Sequence, residues 1–215
     1  MRKLQLGLPR GMILVFAVFF SSVSVSSSGK EGLMLPLEKS KFHLVNLQVT
    51  HLSHVFKWIK WKEGDLPVAG KPVKCVIVGE DRHRFRERLS FVVAESGTSV
   101  LEHPIEFLSF GKMDEALRFT KKDASVMILV VLDSVDEEWT SDLYPNRPSF
   151  IVYGQSERFR KQGMTFCSRS IHNRLKLAVN MKRANRSGVS LSNELLKRKR
   201  IFSVDNGIAS GPEEK

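Results

Sequence analysis

His43, His51 and His54 are the nearest approach to a metal motif in this chain. On a helix, at roughly 100° per residue, the three fall within about 80° of one another. His51 and His54, three apart, could share a metal through their imidazole nitrogens. The usual close pair is four apart, and no carboxylate or cysteine completes the set. These histidines therefore read as a polar helix margin, and no metal, cofactor or catalytic residue is expected. Trp58 and Trp61 flank Ile59. They form either an exposed aromatic patch for a partner or a cover over one edge of a sheet. Gly79, Glu80 and Asp81 end an apolar run. Two acids there could meet a cation or a basic partner loop, or cap a following helix. The Gly-Lys pairs in FGKM and AGKP lack the spacing of a phosphate loop. Neither a nucleophile elbow nor a dinucleotide fingerprint is present. Asn185-Arg186-Ser187 matches a glycosylation sequon, a motif with many chance matches.

The elements that must position these residues are legible in the hydrophobic pattern. From Leu37 to Lys57, the residues Phe42, Val45, Val49, Leu52 and Phe56 recur at helical spacing. A loop rich in Gly and Pro follows. VKCVIVGED is apolar on both faces, as a central strand covered by helices must be. Arg84 to Ala94 reads as a helix, Ile105 to Phe110 as a strand and Lys112 to Lys121 as a helix. Ser125 to Leu132 is the most apolar strand, Asp136 to Leu143 a short helix, and Pro148 to Tyr153 a strand. MTFCSRS and RLKLAVN read as a hairpin turning at 171–173, and two short helices follow. Such alternation predicts one three-layer α/β domain: a mostly parallel sheet flanked by helices, with a C-terminal β-hairpin and two short helices. Its expected limits are residues 29–203, with a polar tail over 204–215.

The first 28 residues read as a cleaved secretory signal. Arg2, Lys3 and Arg10 are basic, Met12 to Phe20 is uninterrupted and apolar, and SSVSVSSSG is small. The apolar run is about half the roughly 20 residues of a spanning helix. The formal charge of +11 falls to about +8 without this segment, because it carries three bases and no acid. In the cytosol such a charge would suggest nucleic acid; for an exported chain it implies solubility and weak attraction to anionic surfaces, and no nucleic-acid partner. Cys75 and Cys167 are too few for a disulfide scaffold. Two thiols are expected, with Cys75 buried in its strand.

Two segments carry a family resemblance. KWIKWKEGDLPVAGKPVKCVIVGED resembles the opening of the YfiR-like family, with Trp58, Trp61, Cys75, Gly79, Glu80 and Asp81 in matching places. Asn180, Gly188, Val189, Leu191, Ser192, Leu195 and Leu196 resemble its closing signature at the same spacing. Lys62 stands in place of a proline, Arg82-His83-Arg84 in place of the usual Asp-Pro-Phe, and Asn193 in place of a second serine. Residues 85–160 match only in their alternation. Read physically, Asn180 caps a short helix, Gly188 ends it in the left-handed conformation, and Ser190 or Ser192 caps the last helix. Leu195 and Leu196 would pack that helix down. LLKRKR then supplies cations to the negative end of a docked helix.

The resemblance implies a periplasmic regulatory protein that restrains an inner-membrane sensor protein of the diguanylate cyclase or kinase type, placing it in cyclic-di-GMP signalling. It also makes a homodimer plausible. Catalysis would belong to the partner. The alternative is a periplasmic small-ligand carrier or enzyme using the crevice beyond the first strand. Trp58, Trp61, Glu80 and Asp81 are the candidate partner or ligand surface.

Overall fold

The computed structural model describes residues 37–139, 149–171, 174–197 and 202–205. The expected signal segment, the basic run 198–200 and the polar tail beyond 205 lie outside the described residues. Helix α1 (Leu37–Trp58) opens the domain and runs into a two-residue strand, β1 (Ile59–Lys60). Then come β2 (Val73–Val78), α2 (Phe85–Glu95), β3 (Ile105–Phe110), α3 (Met113–Lys122), β4 (Val126–Val131) and β5 (Ile151–Gly154). The chain continues through α4 (Arg158–Lys161), β6 (Phe166–Ile171), β7 (Arg174–Asn180), α5 (Met181–Arg186), β8 (Ser190–Leu191), α6 (Asn193–Lys197) and β9 (Phe202–Asp205).

Among the described residues, seven strands form the main sheet in the order β3-β2-β4-β5-β6-β7-β9. The first five are parallel, β7 is antiparallel to β6, and β9 runs parallel to β7. Every residue of VMILVV in β4 is buried, as a central strand with helices on both sides requires. Alternation along β2 sorts its side chains between two apolar clusters. Cys75 and Ile77 pack on the face shared with α1 and α2; Val76 and Val78 pack on the face of α3 and α4. These are the three layers that the sequence predicts.

Three elements differ from expectation. Residues 136–139, where a helix was expected to start, are irregular; residues 140–148 lie outside the described set. Val135 and Trp139 are both buried, and their spacing of four imitates a helix. The Trp139 amide, however, donates to the Gln162 side chain (3.1 Å). The Val135 carbonyl accepts instead from the Arg158 guanidinium. Strand β9 reaches Asp205, where only a tail was expected. Phe42, grouped with the core stripe of α1, is 53 % exposed.

The two cysteines are both buried thiols, on opposite faces of the sheet with two strands between theirs. Three strand spacings put their strands ~14 Å apart, beyond the ~7 Å Cα separation that a disulfide tolerates. Burial also pushes the Cys75 thiol pKa far up, which removes its nucleophilic form. Native protein should therefore resist alkylation at both positions and take up two labels only when denatured. A peptide linking Cys75 to Cys167 in non-reduced digests would contradict this.

His51 is buried on α1, and its Nδ1 has no hydrogen-bond partner. Burial, and then the nearby His54, lower its pKa to about 4. The unfolded chain takes up this proton near pH 6.5 and the folded one only near 4, so stability is lost as pH falls through that window. His51→Leu should flatten the fall, by on the order of 2 kcal/mol between pH 7 and pH 4. Urea titrations of both proteins across that range measure it; identical slopes would show that His51 does not titrate this way.

Candidate functional site

The parallel sheet has one topological switch point. Chain leaving β2 turns back through α2 to β3 on one side, while chain leaving β4, on the other side of β2, moves away to β5. Ligands of open α/β sheets bind in the crevice beyond the strand ends at such a point. Here the chain fills that crevice itself. Gly79 has φ +113°, and a Cβ on it would lie 2.7 Å from Ser134 Oγ and 2.9 Å from a Val135 methyl. Ser134 Oγ accepts from the Glu80 amide (2.6 Å) and donates to the Glu80 carbonyl (3.1 Å).

The next strand ends are used in the same way. The Gln155 side chain accepts from the Asp133 amide (2.9 Å), and the Gln48 side chain donates to the Gln155 carbonyl (2.8 Å). Gln155 also donates back to Gln48 Oε1 at 3.2 Å. Arg158 covers the Asp133 carbonyl at 2.8 Å. Backbone groups that would greet a ligand at the ends of β2, β4 and β5 are thus taken by the protein's own side chains. Among the described residues, no three His, Cys, Asp or Glu side chains gather to hold a metal ion.

The acids beyond β2 are also engaged. Arg84 occupies the N-cap of α2 with φ +57°, and its side chain makes no capping bond. Asp81 does the capping: its two carboxylate oxygens accept from the Phe85 and Arg86 amides. A carboxylate in this role stabilises a helix by about 0.5–2 kcal/mol. Glu80 is exposed and pairs with Arg82, whose hydrogen bond holds the carboxyl below its usual pKa range.

The tryptophans are not a surface patch. Trp61 is only 6 % exposed, and half-buried Trp58 packs against the same core cluster. Their segment meets the closing one. β1 pairs antiparallel with β8 (Ile59 opposite Leu191), and the Ser192 amide donates to the Trp58 carbonyl at 3.2 Å. Asn180 Oδ1 accepts from the Arg183 amide at 3.0 Å and caps α5, which ends at Gly188 with φ +71°. Leu195 and Leu196 lie in α6, and Cys75 and Gly79 in and after β2. Trp58, Ile59, Leu191 and Ser192 thus join the opening and closing segments of the domain in one structural seam.

The open surface lies elsewhere, between α1 and α2. In α2, Phe85, Leu89 and Val93 are buried at helical spacing. Phe91 is off that stripe, points outward and is 65 % exposed. Across from it, Phe42 of α1 is stacked beneath the Arg88 guanidinium, 3.8 Å from ring centroid to carbon. Val49 and Val92 help line the groove of about 570 Å³ between the two helices. A second depression, of about 680 Å³, lies on the other side of Phe91 and reaches Arg86 and Ser109. Phe91 is the ridge between them. Sequence reasoning missed these residues, although Phe91, two positions from Leu89, is a large apolar side chain out of phase with its helix.

If the exit of β2 is packed this tightly, it cannot take a side chain. Gly79→Ala should cost about 2–4 kcal/mol through backbone strain and overpacking, as denaturant unfolding would report. A neutral substitution would mean that the Gly79–Ser134 contact is looser than described.

No curated protein matches the chain. No helix among the described residues is long and apolar enough to cross a membrane. Residues 46–198 match the profile of the YfiR/HmsC-like family, and the chain belongs to that family, one of periplasmic regulatory proteins rather than catalysts.

Proposed function

We propose that the protein is exported to the periplasm and acts there by binding, holding an inner-membrane signalling protein in check. The family supports the regulatory role, and the three-part N-terminal segment supports export. The observation that carries the reading is the contrast between a filled crevice and an open apolar groove. An enzyme or carrier of this fold would use the crevice beyond β2, and Ser134 and Val135 occupy it. A binding protein needs instead an accessible surface with large apolar anchors, which Phe42 and Phe91 provide. Catalysis then belongs to the partner, with a diguanylate cyclase or a kinase as its cytoplasmic output.

Deleting the gene in the native host tests this directly. Loss of a restraint should raise cellular cyclic-di-GMP, or phosphorylation by the partner kinase, at least severalfold. The tagged protein should co-purify from membranes with a protein that has a periplasmic sensor domain. Unchanged output together with no such membrane protein would refute the proposal.

A further inference from the structure

The groove between α1 and α2 carries information about what occupies it. Arg84 is paired with Glu87. Among the described residues, Arg86, exposed on the same helix, has no carboxylate partner, and Arg88 bonds only to neutral acceptors: Asn46 Oδ1 and the His83 carbonyl (3.0 Å). Asp81, the nearby acid, has both oxygens engaged by backbone amides. Among the described residues, the acids of this surface are thus already engaged, Glu87 by Arg84 and Asp81 by the helix amides, and the two guanidiniums of Arg86 and Arg88 stand beside two exposed aromatic rings without a carboxylate of their own. Arg88 is held in place from two directions, by its hydrogen bonds and by the Phe42 ring beneath it. It presents a fixed positive charge at the edge of an apolar floor.

From this arrangement we propose that the α1–α2 groove is the docking site for an amphipathic protein segment whose apolar side chains straddle Phe91 and whose carboxylates pair with Arg86 and Arg88. The inference rests on the regulatory reading above and names the chemistry of the partner's contacting segment. Guanidinium–carboxylate pairs at an apolar rim give orientation and rate of association, while the buried aromatic anchors give most of the affinity. The formal charge of about +8 that remains without the export segment acts in the same sense, drawing an acidic segment toward the surface.

The test uses three synthetic helical peptides with one shared leucine face and rims of Glu, Gln or Lys. Binding to the purified protein is followed by fluorescence anisotropy at low salt and at 0.3 M salt. The Glu-rimmed peptide should bind at least about tenfold more tightly than the Lys-rimmed one, with the gap narrowing in salt. Phe91→Ala should weaken it by about tenfold or more. The double variant Arg86→Glu with Arg88→Glu should reverse the rim preference. Arg86 and Phe91 are exposed, so Phe91→Ala and Arg86→Glu alone should melt like the parent protein, whereas the double variant also loses the Arg88–Asn46 bond and should melt lower while still folding cooperatively. Equal binding of the three peptides, or binding indifferent to these variants, would overturn the proposal. So would a dimer in sedimentation equilibrium that Phe91→Ala dissociates, since a second copy would then be the occupant. If a membrane signalling protein is captured equally well by Phe91→Ala, the groove assignment fails and the regulatory reading stands. If the Glu-rimmed peptide binds as described but no such protein is captured, the groove stands and the regulatory reading fails.

Discussion

The exit of β2 at Gly79 is the constraint on which the rest of the molecule depends. A central parallel strand must leave the sheet beside its neighbour β4, whose own chain turns at the same level. Only a residue without a side chain, at φ +113°, fits against Ser134 and Val135 there. That turn sets Asp81 under the first amides of α2, and the carboxylate fixes where the helix starts. With the start fixed, Phe85, Leu89 and Val93 face the core, and Phe91 has no choice but to face out. One tight turn thus closes the crevice and opens the groove.

The two ends of the domain are joined by a different interaction. The β1–β8 ladder is only two residues long on each side, too short to hold by itself. It is supported by Ile59 and Trp61 in the core, and by the capped α5 with its glycine stop before β8. This division of labour explains why a regulatory protein can bury its most distinctive residues. Trp61, Asn180 and Gly188 maintain the seam, while the side chains free to meet another protein are the less distinctive Phe42, Phe91, Arg86 and Arg88.

Much of the fold was legible because long apolar runs and helical stripes report burial directly. β2, β3, β4 and the β6–β7 hairpin stand within about two residues of where the pattern puts them. What escaped had no local signal. β9 is four residues whose strand character comes from pairing with β7, a distant contact invisible in FSVD alone. β1 and β8 are too short for any period. Val135 and Trp139 mimic a helix because burial, not backbone bonding, sets their spacing. Pattern also misled at Phe42, which keeps the phase of α1 but sits beyond the end of the sheet-facing stripe. At the candidate site, sequence identified residues that hold the fold and overlooked those that are exposed, since neither exposure nor the pairing of one arginine and not its neighbour can be read before the helices are packed together.

The central claim is that this protein meets its partner through the α1–α2 face. The most direct measurement is site-specific photo-crosslinking in living cells of the native host, with the photoreactive residue at position 91 or, on the opposite face of the sheet, at exposed position 121 in α3. The account predicts an adduct with an inner-membrane signalling protein from position 91 and none from position 121. Adducts from position 121 alone, or equal yields from both, would contradict it.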